Sequence, residues 1–213
     1  MEYVLYAATI VLAYLLGAIP FGLLVGKLAK NVDIRQYGSG NVGAANALRT
    51  LGWKASISVF ALDIAKAVAA VLVARFAVGT PTLEAACGVA AIAGHNWPIY
   101  IKFKGGRGVS SGLGVLLLFS PLLGLVGLAL GLALMAWSRY VSLGSVVGAI
   151  VIPVLMLAMA GPMNIPEAYV AFAWVVGAMV VFQHRGNIQR ILAGTERKIG
   201  ERGEHRTASN ETR

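Results

Sequence analysis

Residues 38–49 form the first of three polar, glycine-containing segments whose residue types are suited to chemistry. Closely spaced glycines precede or flank Asn41, Asn46 and Arg49. Glycines with the spacing G-x-G-x-x-G bind a dinucleotide only when they lie within a βαβ unit. The apolar sequence on either side of the segment does not predict such a unit. Glycine amides before the start of a helix still suit an anion. We interpret the segment as a candidate anion site; the alternative is a polar loop whose arginine only anchors topology.

The second segment, residues 94–108, ends in three glycines interleaved with Lys104 and Arg107. Flexible backbone donors flanked by two cations would form a phosphate-binding loop. The spacing G-x-x-x-x-G-K-[ST] is absent, so the segment is not a Walker loop. The alternative interpretation is a basic loop that contacts anionic lipid headgroups.

The third segment, residues 184–198, begins with His184, Arg185 and Asn187 just beyond the last apolar run. This position predicts that the histidine lies where a membrane span meets water, at a depth suited to a polar active site. A single histidine there is more often structural than catalytic, but the adjacent arginine and asparagine favour a functional role.

Two charged residues, Asp63 and Lys66, stand inside an apolar run. They are three residues apart and therefore share a helix face, where they can form an ion pair within the membrane. We interpret them as a structural pair that faces the bundle interior or a cytoplasmic vestibule. The proton or ion site of a transporter is the alternative.

Several familiar catalytic patterns are absent. The sequence has no H-x-x-x-x-D, no H-E-x-x-H, no G-x-S-x-G and no Asp-rich metal motif. Only nine residues are acidic, so a divalent metal held by carboxylates is not expected. A single cysteine, Cys87, excludes an intrachain disulfide. The remaining candidate groups are cationic and glycine-rich, which suits two phosphorylated compounds that meet at a membrane.

The elements that must position these residues are membrane helices. Of the 213 residues, 58% are hydrophobic and only 13% are charged, and the mean hydropathy is +0.75. A soluble domain of this size could not cover such a composition with polar surface, so the composition predicts an all-α integral membrane protein. The predicted spans are 3–26, 53–78, 82–101, 109–137, 143–160 and 167–182.

The basic residues predict the topology. The net charge is +9, and fifteen of the 18 lysines and arginines lie in the segments 27–50, 102–108, 138–142 and 183–213. This clustering indicates cytoplasmic loops rather than nucleic-acid binding. Both middle segments can be cytoplasmic only if 109–137 crosses twice, and Ser120-Pro121 marks a break. We predict seven transmembrane helices, some of them short, with the N-terminus outside and the C-terminus cytoplasmic. Residues 1–199 would form the membrane domain and 200–213 a disordered cytoplasmic tail.

Taken in order, the three segments resemble the signatures of the bacterial acyl-phosphate-dependent glycerol-3-phosphate acyltransferases, the PlsY family. The resemblance runs from the first span to Lys198 and includes Asp63 and Lys66. Two positions depart from the usual family pattern, since Arg107 stands in place of a lysine and Ala67 in place of a glycine. Arginine at position 107 keeps the positive charge of lysine. Its planar guanidinium, however, presents several N–H donors in a fixed geometry, where lysine has a compact ammonium.

The resemblance implies transfer of a fatty acyl group from acyl phosphate to the sn-1 hydroxyl of glycerol 3-phosphate, without metal or coenzyme. It implies a cytoplasmic-facing site in the bacterial inner membrane, contact with membrane lipids, and the enzyme that supplies acyl phosphate as a further candidate partner. Position by position, it assigns catalysis to Ser39, Arg49 and His184, and substrate binding to Gly38, Gly40, Asn41, Asn46, Lys104, Gly105, Gly106, Arg107, Gly108 and Asn187. Ser142 is also assigned to substrate binding; it and Ser145 are expected to border the site, and Glu196 is expected to brace the third segment.

The residues leave some alternatives open. Either His184 or a phosphate oxygen of the substrate could accept the hydroxyl proton. A small transporter of a phosphorylated metabolite would use the same basic vestibule and place Asp63 and Lys66 on its conduction path. A scaffold that binds anionic lipid would need the charges but not their identity.

Overall fold

The structure, a computed structural model, describes residues 2–201 and residue 205. All regular structure in this part of the chain is helical, as the composition predicts, and no β-strand occurs there. Apart from positions 200, 201 and 205, the predicted disordered tail lies outside the described residues. Ten α-helices follow one another in this part: α1 Glu2–Gly17, α2 Phe21–Lys30, α3 Ala44–Leu51, α4 Trp53–Ala77, α5 Pro81–Asn96, α6 Val109–Phe119, α7 Pro121–Ser138, α8 Val141–Met159, α9 Glu167–Gln183 and α10 Arg185–Leu192.

Prolines set several of the helix boundaries. Helix α6 ends before Ser120 and α7 begins at Pro121, which confirms the predicted break within 109–137. The predicted span 3–26 is two helices rather than one, because Pro20 separates α1 from α2. Pro98 likewise ends α5 at Asn96, before the predicted boundary at 101. In each case proline lacks a backbone donor and disfavours helical geometry in the residue before it.

Glycines allow neighbouring helices to approach closely. Gly17 of α1 lies against the backbone carbonyl of Ala91 in α5, and Gly144 of α8 lies against Gly131 of α7. A side chain at Gly17 or Gly144 would overlap the facing backbone. Within lipid, where apolar side chains gain little from burial, close backbone packing is a main source of helix association. Gly131 and Gly144 therefore let α7 and α8 pack closely.

The bundle has the surface of an integral membrane protein. Large apolar side chains such as Leu125, Trp137 and Ile150 are exposed on its outer faces, as expected for a surface that contacts lipid rather than water. Within the described residues, four segments are long and apolar enough to cross a membrane: Glu2–Lys30, Trp53–Ala77, Pro121–Ser138 and Val141–Met159. Helices α9 and α10 would add a fifth candidate crossing if the two count as one bent segment, with an angle of 57° between them.

Candidate active site

A polar cavity of about 450 Å³ opens where the three predicted segments meet. Its walls come from the loop before α3, the loop between α5 and α6, and the junction of α9 with α10. Pockets for small molecules have volumes of about 300–1,000 Å³, so the cavity suits a compact polar substrate. It is lined by Gly40, Asn41, Asn96, Trp97, Phe103, Lys104, Gly105, Gly106, Arg107, Gln183, Arg185, Gly186, Asn187, Gln189 and Arg190.

The structure brings part of the predicted set into this lining. The predicted residues that line the cavity are Gly40, Asn41, Lys104, Gly105, Gly106, Arg107 and Asn187. The others lie outside the lining: Gly38, Ser39, Asn46, Arg49, Gly108, Ser142 and His184.

Asn46 folds the first segment from within. Its amide nitrogen donates to the backbone carbonyls of Ile34 and Asn41, each at 2.8 Å, and its amide oxygen accepts from the backbone N–H of Ser39 at 2.9 Å. The side chain is buried, so its polar atoms serve the loop and do not face the cavity. By holding residues 34–46 in this shape, Asn46 places Gly40 and Asn41 at the cavity wall.

The glycine loop between α5 and α6 is docked onto the end of α5. The backbone N–H of Gly106 donates to the carbonyl of His95 at 2.9 Å, and that of Gly105 donates to the carbonyl of Asn96 at 3.2 Å. These two donors are therefore not available to an anion, contrary to the simple phosphate-loop interpretation. Gly108 has a φ of 81° and immediately precedes α6, whose N-terminus has no side-chain cap. The donors left for a phosphate in this loop are those at and after residue 107.

Arginines concentrate positive charge beside the cavity. Burial first, and then repulsion from Arg190 and Arg49, lower the pKa of Arg107 to about 10, although Glu196 opposes the change. Burial likewise lowers the pKa of Arg49, whose guanidinium donates to the backbone carbonyl of Arg197 at 3.3 Å. A pKa of about 10 leaves Arg107 charged at neutral pH. Mutual repulsion of this kind is relieved when an anion binds.

Glu196 is the carboxylate that ties the third segment together. It accepts hydrogen bonds from the Ser142 hydroxyl at 2.7 Å, the Asn187 amide at 2.6 Å and Nε of Arg190 at 2.8 Å. Burial would raise its pKa, but these three hydrogen bonds lower the pKa overall. The expected bracing role agrees with these contacts. Ser142, expected to border the site, instead uses its hydroxyl on Glu196.

Replacing Glu196 with alanine is expected to destabilise the protein by about 3 kcal/mol, because buried donors of Ser142 and Asn187 lose their acceptor. Glu196→Gln keeps one acceptor oxygen and should cost clearly less. Thermal unfolding of the purified protein in one detergent, with both variants beside the native protein, measures the difference. Equal melting temperatures for all three proteins would contradict a bracing role.

His184 lies at the bend between α9 and α10 and is buried, with 2% of its surface exposed. Its Nδ1 is 2.8 Å from the carbonyl oxygen of Val180. A carbonyl can only accept, so Nδ1 carries the proton and Nε2 keeps a lone pair. Burial and the positive charge of Arg107 lower the pKa of His184 to about 4. The imidazole is therefore neutral at pH 7, in a tautomer that can accept a proton.

Several lining residues had no role assigned from the sequence, among them Asn96, Gln183 and Arg190. A signal for Arg190 was present, since it follows Asn187 by three residues and so shares a face of α10. Asn96 and Gln183 lie at helix ends and line the cavity only because α5 and α9 end at the same place. Their placement depends on tertiary packing that a local pattern does not record.

Comparison with known proteins shows the family of the chain. Residues 7–194 match the model of the family described as glycerol-3-phosphate acyltransferase. A glycerol-3-phosphate acyltransferase of Thermoanaerobacter sp. (strain X514) is 44% identical over 196 residues, which cover 92% of this chain and 96% of the relative. One of Synechococcus sp. (strain CC9902) is 46% identical over 192 residues, covering 90% and 94% of the two chains.

Two solved structures are similar to the whole bundle. Both are crystal structures of PlsY (YgiH), an integral membrane glycerol 3-phosphate acyltransferase. Its glycerol 3-phosphate form superposes with a TM-score of 0.84 at 38% identity, covering 92% of this chain and 96% of that one. Its lysophosphatidic acid form gives 0.83 at 37% identity with the same coverage. From its sequence, its helical architecture and these relatives, the chain belongs to the glycerol-3-phosphate acyltransferase family of integral membrane enzymes.

Proposed function

We propose that this enzyme transfers a fatty acyl group from an acyl phosphate to the sn-1 hydroxyl of glycerol 3-phosphate. The products are 1-acyl-glycerol 3-phosphate (lysophosphatidic acid) and phosphate. The observation that carries the proposal is the charge of the cavity, whose lining includes Lys104, Arg107, Arg185 and Arg190 and, among the described residues, no carboxylate. The glycerol 3-phosphate and lysophosphatidic acid forms of PlsY support the acceptor and the product. Acyl phosphate as donor rests on the resemblance to the PlsY family.

The proposed reaction is a direct displacement. The sn-1 hydroxyl oxygen forms a bond to the carbonyl carbon of the acyl phosphate, and the bond from that carbon to the phosphate oxygen breaks with its electron pair leaving on phosphate. The hydroxyl proton passes to a base. Because a mixed anhydride is already activated, no covalent enzyme intermediate and no coenzyme are needed. Holding the two reactants in line can supply about 7–11 kcal/mol of the barrier.

Each part of the site has a task in this step. Lys104 and Arg107 hold phosphate and stabilise the charge that develops on the leaving group and on the carbonyl oxygen. Gly105, Gly106 and Gly108 let the loop lie against α5, so that both cations reach the cavity. Ser39, Arg49 and Asn187 orient the acceptor. The neutral imidazole of His184 accepts the proton at Nε2.

We propose that the chain crosses the membrane seven times, through α1, α4, α5, α6, α7, α8 and α9. Helix α6 has 11 residues and a length of about 16 Å, close to half the hydrocarbon thickness, so the first of the two proposed crossings within 109–137 is short, whereas α7 is long enough to cross. The basic segments that line the cavity favour a cytoplasmic-facing site, with the N-terminus outside and the C-terminus inside. In this proposal the protein resides in the bacterial inner membrane, where residues 1–199 form its catalytic domain.

The donor is tested with purified protein and labelled glycerol 3-phosphate in the absence of metal. Palmitoyl phosphate and palmitoyl-CoA are offered separately, and Arg49→Ala serves as the control. Lysophosphatidic acid formed from palmitoyl phosphate alone, and lost in the variant, supports the proposal. Product formed from palmitoyl-CoA would keep acyl transfer but overturn the donor. An enzyme that supplies acyl phosphate is the partner to test next.

Arg49→Lys separates catalysis from simple charge attraction. An ammonium keeps the charge but loses the planar fork that can hold two oxygen atoms at once. We expect kcat/KM for acyl transfer to fall by about tenfold or more, because charge-assisted paired hydrogen bonds are lost. Full activity in the lysine variant, measured at two salt concentrations, would mean that Arg49 contributes charge only, as in a scaffold.

A further inference from the structure

A buried cluster lies beneath the glycine loop, within the bundle. The predicted pair is confirmed, since Nζ of Lys66 lies 2.8 Å from Oδ1 of Asp63 and both side chains are buried. A third member, His95 of α5, was not predicted. Its Nδ1 lies 3.0 Å from Nζ of Lys66 and 3.4 Å from Oδ1 of Asp63. We refer to Asp63, Lys66 and His95 as the buried triad.

The triad determines which nitrogen of His95 carries a proton. An ammonium can only donate, so at 3.0 Å the Nδ1 of His95 accepts from Lys66, and the ring proton lies on Nε2. Lys66 is itself held in place, because its Nζ also donates to the backbone carbonyl of Ile19 at 2.8 Å. Asp63 neutralises the ammonium in this apolar setting. The orientation and the tautomer of His95 therefore follow from Lys66.

The imidazole of His95 touches the glycine loop directly. A Cβ at Gly106 would overlap Nε2 of His95, so the Gly106 backbone lies directly against the protonated edge of the ring. The same loop is held by the bond from the Gly106 N–H to the His95 carbonyl. Just after the loop, the Ser111 hydroxyl donates to the Asp63 carbonyl at 3.1 Å. The triad thus contacts the loop and the helix that follows it, on either side of Arg107.

We propose that His95 is a positioning residue for the phosphate-binding cations. Held by Lys66 and Asp63, its ring packs against Gly106 at Nε2 and so fixes where the next residue, Arg107, enters the cavity. This inference rests on the proposed function, in which Arg107 binds phosphate. A partly buried ion pair offers a comparison, since the Arg75 guanidinium on α4 lies 2.6 Å from the Glu84 carboxylate on α5, and neither residue lines the cavity.

Two substitutions at His95 distinguish the contributions of its two ring nitrogens. In His95→Gln the longer side chain can present an N–H near the place of Nε2, whereas in His95→Asn the shorter amide reaches only the place of Nδ1. KM and kcat are measured with palmitoyl phosphate and glycerol 3-phosphate, and binding of inorganic phosphate is measured without turnover. Glu84→Gln is the control for weakening an ion pair outside the cavity. Melting temperatures are recorded for every variant.

We expect His95→Asn to raise KM and to weaken phosphate binding by about tenfold or more, because the shorter side chain loses the buried contact that holds Gly106. His95→Gln should stay close to the native values. Glu84→Gln should lower the melting temperature and leave KM unchanged. Gly106→Ala, whose Cβ would overlap Nε2 of His95 and so push the loop away from the triad, should reproduce the higher KM, and this keeps the test valid if His95→Asn does not fold.

Two results would overturn the positioning role. One is a fall in melting temperature for both His95 variants with KM and phosphate binding unchanged, as expected for a purely structural cluster. The other is a fall in kcat alone, which would place His95 in a different step. If the native protein forms no product from palmitoyl phosphate, the proposed function fails, and the phosphate-binding arm still decides whether His95 positions the loop.

Discussion

Replacing Arg107 with alanine is expected to lower kcat/KM for acyl transfer by about 100- to 1,000-fold, the usual cost of removing one donor to a developing oxyanion. Arg107 lines the cavity, and its neighbours Arg49 and Arg190 share the same electropositive space. Its guanidinium is in place before the reaction begins, since the loop that carries it is docked on α5. Steady-state rates with palmitoyl phosphate as donor measure the effect.

Two comparisons show what the Arg107 result means. Arg107→Lys restores the residue that is usual in the PlsY family, so it should retain much more activity than the alanine variant. Arg139 lies outside the cavity lining, and its guanidinium donates a hydrogen bond to the backbone carbonyl of Ile199. Arg139→Ala should therefore change the rate little. Equal losses in Arg107→Ala and Arg139→Ala would contradict a specific role and leave only long-range attraction of anions.

Replacing His184 with asparagine is expected to lower kcat by about 100- to 10,000-fold, the range for removal of a general base. The asparagine amide can still donate to the Val180 carbonyl, as Nδ1 does now, so the local backbone contact is kept while the Nε2 lone pair is lost. The effect is measured as the single-turnover rate of acyl transfer, and the melting temperature of the variant is the control for folding. A rate close to native would assign the proton to a phosphate oxygen of the substrate.

The pH dependence gives an independent test of His184. Its pKa in the folded protein is about 4, against 6.5 for an unperturbed histidine, so below pH 6.5 the unfolded chain binds a proton that the folded one does not. The stability that comes from neutral His184 is thus complete above pH 6.5 and is lost as the pH falls towards 4. Its full size is about 3 kcal/mol, and His184→Asn should remove this part of the slope. A slope equal in both proteins would contradict the low pKa.

Local features of the sequence determined the class of the protein and most of its helices. Composition alone excludes a soluble fold, and the break at Ser120-Pro121 follows from the chemistry of proline itself. The pair of Asp63 and Lys66 follows from their three-residue spacing on a helix. The three segments that meet at the cavity are also visible in the sequence, because glycines, cations and two histidines cluster in short polar stretches between apolar runs.

Only the tertiary structure decided which of these residues face the cavity. Ser142 has the residue type of a substrate ligand, but its hydroxyl is used by Glu196, a residue 54 positions away. The N–H groups of Gly105 and Gly106 are used by carbonyls at the end of α5, and His95 joins the triad because α5 packs against α4. Hydrogen-bond partners distant in sequence are brought together by helix packing, and the spacing of residues along the chain carries no record of which ones will meet.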